Sequence, residues 1–143
     1  MYRDMIIVFM YIYFLDRLSS CLHYLFGPNK KLSANTRWFF IHSFTNLLVC
    51  GLAKNDVYEC ITNPTSIYLT PSYNGQLSIW TAIMAHLYHI VVFSNKLTPQ
   101  DWLHHFLMVG ISGTVTVISP LKISILGLWF MSGLPGFIDY FNL

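Results

Sequence analysis

Histidines supply most of the side chains in this chain that could do chemistry. His86 and His89 are three residues apart, and His104 and His105 are adjacent, with Asp101 just before them. Residues three or four apart share a face of a helix, so each pair can turn an imidazole toward one site. An imidazole takes and gives a proton near neutral pH. With Asp101 as an orienting carboxylate, His104 or His105 could deprotonate a hydroxyl or an amine for acyl transfer.

Two further polar positions extend this predicted site. His42 shares a helix face with Asn46, and we predict that both bind substrate together with His86 and His89. A structural alternative applies to each histidine, because an imidazole inside a membrane often only ties helices together, with a contribution of about 1 kcal/mol. Asp101 could equally cap the helix that follows it.

The composition indicates what kind of element must position these side chains. Hydrophobic residues make up 55% of the 143 residues and charged residues only 10%, whereas soluble domains carry about 25% charged residues. So few charges cannot cover a soluble surface, but lipid tolerates an apolar one. The net charge of +2 is too small to imply nucleic acid as a partner. We predict a single transmembrane domain over residues 1–143.

Apolar runs then predict an all-α fold, an integral membrane bundle of about five helices. A span needs about 20 residues to cross the hydrocarbon layer. Several runs are slightly short, which would suit a thin membrane such as that of the endoplasmic reticulum. The first run lacks a signal-peptide cleavage site and is read as a retained span. The predicted spans cover residues 5–26, 38–53, 77–93, 102–119 and 123–137.

The charges predict how this bundle lies in the membrane. The first loop carries Lys30, Lys31 and Arg37 without an acid, so it should be cytoplasmic, although Lys122 on the opposite side argues mildly against this. Because successive spans alternate in direction, all six histidines fall in the same half of the membrane. Asp16 and Arg17 interrupt the first span and are predicted to form an ion pair within the bundle.

Cysteines and metals give weaker signals. Cys50 and Cys60 could form a disulfide if their side of the membrane is lumenal, although unpaired thiols are favoured. The chain has no C-x-x-C pair, and we predict no metal-binding residues. Imidazoles on two helices could nevertheless bind iron or haem, which leaves a redox protein as a third alternative.

Several motifs together resemble the TLC-domain family of multi-pass membrane proteins, over roughly residues 37–143. They are Arg37-Trp38-Phe39-Phe40-Ile41-His42, His86-Leu87-Tyr88-His89, Asp101-Trp102-Leu103-His104-His105 and Gly133-Leu134-Pro135-Gly136. In the ceramide synthases of this family, paired histidines are implicated in acyl transfer from acyl-CoA, and the resemblance places that role on His104 and His105. The residues after His105 lack the longer polar motif of the synthases, so the resemblance is to a non-synthase member. Family members have more spans, which implies a short or truncated form.

The resulting hypothesis is a lipid-handling protein that binds or acts on an acyl lipid, with membrane lipids as partners. If it is an enzyme, it should resemble an acyltransferase that uses acyl-CoA or a lipid and needs no cofactor. The hypothesis predicts a narrow cavity lined by His42, His86, His89 and either His104 or His105. The main alternative is a non-catalytic membrane scaffold or assembly protein, in which the histidines only hold helices together.

Overall fold

The computed structural model describes residues 2–27 and 33–141, and within these ranges the chain is helical without any strand. The prediction of an all-α fold is therefore confirmed. The first three long helices are α1 (Tyr2–Phe26), α2 (Ala34–Thr62) and α3 (Tyr73–Phe93). Short 3₁₀ turns cover Pro64–Tyr68 and Ser94–Lys96. The loop lysines Lys30 and Lys31 lie outside the described residues.

Two further helices each contain a π-helical stretch. Helix α4 (99–118) runs as α-helix over Pro99–His105, as π-helix over Phe106–Gly113 and again as α-helix over Thr114–Ile118. Helix α5 (122–141) is α-helical over Lys122–Leu128, π-helical over Trp129–Gly133 and α-helical over Leu134–Phe141. Glycine ends both π stretches, where a missing side chain allows close approach. A Cβ on Gly113 would touch Ile83 of α3, so this stretch packs closely against a neighbouring helix.

Hydroxyl side chains begin three of these helices. The Ser33 hydroxyl accepts a hydrogen bond from the Thr36 amide at 3.0 Å, and the Ser72 hydroxyl accepts one from the Gly75 amide at 3.1 Å. Thr98 does the same for α4. Each hydroxyl satisfies an amide that has no partner within its own helix.

Membrane-spanning length is found in two of the described helical stretches. Arg3–Phe26 and Tyr73–Lys96, of 24 residues each, are long and apolar enough to cross a membrane. The core helix of a soluble protein or a signal sequence would have the same length and composition. The other three predicted spans also fall on helices, but their crossing of a membrane stays a prediction.

Helix α2 lies at the centre of the packing, with α1, α3 and α5 against it. One apolar core joins α1, α2 and α3 around Ile12, Ile41 and Tyr88. A second joins α2, α3 and α5 around Ala53 and Ile125. Helix α4 packs mainly against α3. The site described below lies where α2, α3 and α4 meet.

A buried carboxylate links the first three helices. Asp16 is 1% exposed, and its two carboxylate oxygens accept hydrogen bonds from Arg37 Nε at 2.8 Å and from an Arg37 terminal nitrogen at 2.6 Å. The Tyr88 hydroxyl donates a third at 2.8 Å. The predicted pairing of Asp16 with Arg17 is wrong. Sequence neighbours on a helix point in different directions, and the exposed Arg17 lies over the Tyr13 ring.

A second ion cluster lies at the opposite end of the bundle. Lys122 Nζ, on a residue only 6% exposed, donates to Glu59 Oε2 at 2.6 Å and is 3.5 Å from Asp56 Oδ1. The bond to Glu59 raises the pKa of Lys122. Helix α2, which carries both acids, continues to Thr62 and so past residue 53, where the predicted span ends. Hydropathy locates an apolar segment, and a helix can continue beyond that segment.

The cysteines are unpaired in this fold. Cys21, Cys50 and Cys60 are all free. Cys50 and Cys60 lie ten residues apart on α2, a rise of roughly 15 Å. A disulfide requires Cα atoms within about 7 Å, so a single straight helix cannot join them.

Replacing Gly75 with alanine should lower the free energy of unfolding by about 1–3 kcal/mol, the usual cost of overpacking. A Cβ at this position would overlap Asp56 Oδ2. That carboxylate cannot easily move, because the Ser72 amide and hydroxyl both donate to it. Thermal unfolding in mild detergent would measure the change. Gly51→Ala is the matched control, since its Cβ would meet nothing within 4 Å and alanine favours a helix by up to about 1 kcal/mol. Equal stability of the two variants would contradict the expectation.

Candidate functional site

His86 is the centre of a cluster of imidazoles from three helices. Its ring centroid lies 5.9 Å from that of His42 on α2, 5.2 Å from that of His104 and 5.4 Å from that of His105 on α4. The ring of His89 lies 4.9 Å from that of His105. The structure therefore brings together five of the six histidines. The sixth, His23, lies in the last turn of α1 against Gly27.

Hydrogen bonds orient the rings at the centre of this cluster. His86 Nδ1 lies 2.8 Å from the Ala82 carbonyl oxygen, which can only accept, so Nδ1 carries the proton. In a neutral ring the other nitrogen then accepts. We therefore assign His104 Nε2 as the donor in its 3.2 Å bond to His86 Nε2. This leaves the His104 Nδ1 lone pair as the free basic atom of the pair, as a general base or a nucleophile requires.

A second imidazole pair lies deeper and is packed against an indole. His105 Nε2 and His89 Nδ1 are 3.0 Å apart, and both residues are less than 10% exposed. The Trp38 ring stacks on His89 with centroids 3.6 Å apart and planes 11° from parallel, and it also touches His42 at 4.7 Å. The stack fixes the plane of the His89 ring. Nδ1 of His105 is buried without a hydrogen-bond partner among the described residues.

An apolar cavity of about 440 Å³ opens beside the first imidazole pair. Helices α3, α4 and α5 enclose it, and His86 and His104 form one end. Aliphatic side chains supply most of the remaining wall. Four hydroxyl groups interrupt it, those of Ser112, Thr116, Ser124 and Ser132. No residue with a formal charge is part of this lining.

The cavity divides the predicted site residues into two groups. His86 and His104 line it, whereas His42, His89 and His105 adjoin these two through ring contacts without being part of the wall. Asn46 is also buried away from the wall, and its amide nitrogen has no hydrogen-bond partner among the described residues. The predicted binding role of Asn46 stays a prediction.

Asp101 caps the helix that carries the histidine pair. Its Oδ2 atom accepts hydrogen bonds from the Thr98 amide and the Thr98 hydroxyl, both at 2.8 Å. The Asp101 amide donates back to the hydroxyl at 3.2 Å. Bonds from the Thr98 backbone and side chain lower the pKa of Asp101. The capping alternative is thus present in the structure, and a role in orienting an imidazole stays a prediction.

Sequence reasoning missed three features of this site. Trp38 was noted only as part of a motif, although it contacts both His42 and His89. Of the four hydroxyls of the cavity wall, the helical repeat places Ser112 on the stripe of the histidine pair, but it gave no reason to single out Thr116, Ser124 and Ser132. The π-helical stretches on both sides of the cavity contain or adjoin two pairs of glycines, Gly110 with Gly113 and Gly127 with Gly133. These pairs could have suggested irregular helix at both places.

The assembled site combines proton-transfer groups with an apolar, uncharged cavity. Among the described residues, no three side chains of His, Cys, Asp or Glu are grouped so that they could hold a metal ion. The site consists of two hydrogen-bonded imidazoles at one end of an apolar cavity that can hold hydrocarbon. No family model, curated protein or solved structure matches the chain.

Proposed function

We propose that this chain is a multi-pass membrane protein that binds a single-chain acyl lipid in the cavity between α3, α4 and α5, with the lipid's polar end against His86 and His104. The observation that carries this proposal is the cavity itself, which is apolar along its length and ends at two imidazoles. Pockets of this kind, apolar with a few polar groups, are typical binding sites.

The distribution of polarity supports the membrane part of the proposal. Large apolar side chains point outward along the helices, such as Ile6 (65% exposed), Val91 (72%) and Met131 (79%). The buried polar and charged side chains of the described residues equal the buried apolar ones in number. Water would penalise such a surface, whereas a bilayer would solvate it, and polar groups would then face the bundle interior.

The dimensions of the cavity support a single acyl chain as the ligand. A methylene group fills about as much space as a water molecule in the liquid, roughly 30 Å³, so the cavity holds on the order of 15 of them. Between His104 and Thr116, which both line it, a helix rises roughly 18 Å. This length is close to half of the ~30 Å hydrocarbon layer. A bound tail would therefore run alongside the tails of one leaflet.

The chemistry of the imidazoles extends the proposal from binding to reaction. The free Nδ1 atom of His104 would take the proton of a lipid hydroxyl as that oxygen attacks the carbonyl carbon of an acyl ester or thioester, and His86 would hold the ring through the bond between their Nε2 atoms. The bond from the carbonyl carbon to the alcohol or thiol of the donor then breaks, and the leaving group receives the proton from His104. The resemblance to the TLC-domain family supports an acyl lipid as the substrate class, and acyl transfer would be the reaction if the protein is an enzyme. A thin membrane of the endoplasmic-reticulum type remains the expected location.

Filling the cavity provides the test of binding. Protein purified in mild detergent should carry a single-chain lipid that native mass spectrometry detects. Ser112→Phe, on the cavity wall, should lower the bound fraction about tenfold, equivalent to about 1.4 kcal/mol. Val115→Phe on the same helix is the control, because Val115 is 60% exposed and outside the wall. An unchanged lipid complement in Ser112→Phe would contradict the proposal, and a bound metal or haem would favour redox chemistry.

One observation favours a purely structural role for the histidines. The bonds from His86 to His104 and from His89 to His105 both join α3 to α4. In a scaffold protein these bonds would hold α4 in place and do nothing else. Single histidine substitutions would then lower the melting temperature and leave the bound lipid unchanged.

A further inference from the structure

The cavity has an open side, and its rim lies between α4 and α5. Leu107 on α4 and Met131 on α5 both line the cavity, yet they are 47% and 79% exposed. The exposed members of the wall all belong to α4 and α5, whereas its members on α3 are buried or half-buried; the exposed ones are His104, Leu107, Ser112 and Met131. The opening is therefore on the side of the molecule where these two helices face each other.

The packing of the helices explains why this side is open. Helix α4 packs against α3, while α5 packs against α2 and, near its start, against α3. Among the described residues, direct contacts between α4 and α5 are few. They are joined by the short connection 119–121, which closes one end of the gap. Within residues 2–27 and 33–141, no comparable connection joins them at the end that carries His104.

Both edges of the opening are π-helical. Leu107 belongs to the stretch Phe106–Gly113, and Met131 belongs to the stretch Trp129–Gly133. A π-helical turn departs from regular hydrogen bonding and is frequent at functional sites. π-Helical turns therefore occur on both sides of the gap, at the residues that form its rim.

The surface around the opening would face lipid and not water. Phe106, Ile111 and Phe130 belong to the same two π-helical stretches as the rim residues and are 61%, 48% and 53% exposed. The sequence has no Asp, Glu, Lys or Arg between Asp101 and Lys122, or between Lys122 and Asp139. A charged, water-soluble acyl donor such as acyl-CoA would meet no fixed charge along this approach.

From these observations we infer that the ligand is a membrane-resident lipid that enters sideways through the gap between α4 and α5. This inference rests on the proposed function. The ligand would have one hydrocarbon chain and a small, uncharged head whose hydroxyl donates a hydrogen bond to His104 Nδ1, beside His86. The tail passes between Leu107 and Met131, and the head stays at the imidazole end of the cavity.

The test compares supply from the bilayer with supply from water. Wild-type protein in phosphatidylcholine nanodiscs is given a diazirine-bearing monoacylglycerol in the bilayer or a diazirine-bearing acyl-CoA in the buffer. After brief illumination, the labelled peptides are identified by mass spectrometry. We expect labelling of cavity-lining peptides by the monoacylglycerol, at least fivefold faster than by acyl-CoA.

Two variants place a bulky side chain at the rim. Met131→Trp and Leu107→Trp should each slow labelling by the monoacylglycerol at least fivefold, because they narrow the gap from opposite sides. Val91→Trp is the matched control, since Val91 is 72% exposed and lies on α3 outside the cavity wall. It should label at the wild-type rate.

The outcomes separate this inference from the proposed function. If both rim variants label as fast as wild type, or if acyl-CoA labels wild type faster, the lateral route is overturned while binding in the cavity stands. If wild-type cavity peptides are not labelled by either probe, the proposed function fails and the inference fails with it.

Discussion

Replacing Arg37 with methionine is expected to lower the free energy of unfolding by about 3–5 kcal/mol, the cost of breaking a buried ion pair from one side. Asp16 is 1% exposed and would lose both of its bonds from the guanidinium. The Tyr88 hydroxyl would remain as the one side chain that donates to the carboxylate among the described residues. Denaturant or thermal unfolding in mild detergent would measure the loss.

Arg17→Met is the matched control for this prediction. Arg17 carries the same charge on α1 but is exposed and lies over the Tyr13 ring face, so its loss should cost at most about 1 kcal/mol. In the double variant Asp16→Leu with Arg37→Met, much of the stability should return, because no unpaired charge is buried. If Arg37→Met and Arg17→Met unfolded alike, the buried pair would not hold the three helices together.

His104→Ala is expected to lower mainly lipid binding, and His105→Ala mainly the free energy of unfolding, although the two residues are adjacent. His104 is exposed and lines the cavity together with His86, so His104→Ala should lower lipid binding about tenfold, or about 1.4 kcal/mol. It should lower stability less than His105→Ala does, because a water molecule or lipid head in the cavity can replace His104 as the hydrogen-bond donor to His86. His105 is 3% exposed and bonded to His89. His105→Ala should lower the unfolding free energy by about 1–3 kcal/mol, because the buried His89 nitrogen loses its partner.

Two measurements on the same protein preparations would check this division. Native mass spectrometry reports the bound lipid, and thermal unfolding reports the stability. Met108→Ala is a useful control, since Met108 lines the cavity on the same helix without a hydrogen-bonding group. If both histidine variants lose stability equally and both keep their lipid, the structural role of the histidines would be favoured over the lipid-binding one.

The histidine cluster shows what sequence periodicity can predict. The spacing of His86 and His89 and the alternation of helix direction indicated one shared depth, and the structure brings these residues together with His42, His104 and His105. This works because the helical repeat of 3.6 residues fixes faces locally. The helices themselves followed from apolar runs, as the all-helical structure confirms for the described residues.

Features that depend on contacts distant in sequence were missed. The partner of Asp16 is 21 residues away, and Tyr88 is 72 residues away, so no local pattern could reveal them. Helix α2 continues to Thr62, and its Glu59 pairs with Lys122, which is 63 residues away on another helix. Which residues line the cavity depends on how α4 and α5 are placed relative to each other. That placement puts His104 on the cavity wall and His105 outside it, a difference that their adjacency in sequence does not reveal.

The buried lysine at the start of α5 gives the cavity a fixed floor. Lys122 is held by Glu59 and Asp56 of α2, and its backbone amide donates to the Leu69 carbonyl at 2.9 Å. These contacts hold the start of α5, next to the connection 119–121, against the bundle, and the cavity wall ends nearby at Thr116 and Ser124. A lipid held by its head at His104 would extend its tail toward this floor. The distance from the imidazoles to this floor would set the longest acyl chain that fits. The ion pair between Lys122 and Glu59 of α2 would keep that distance constant.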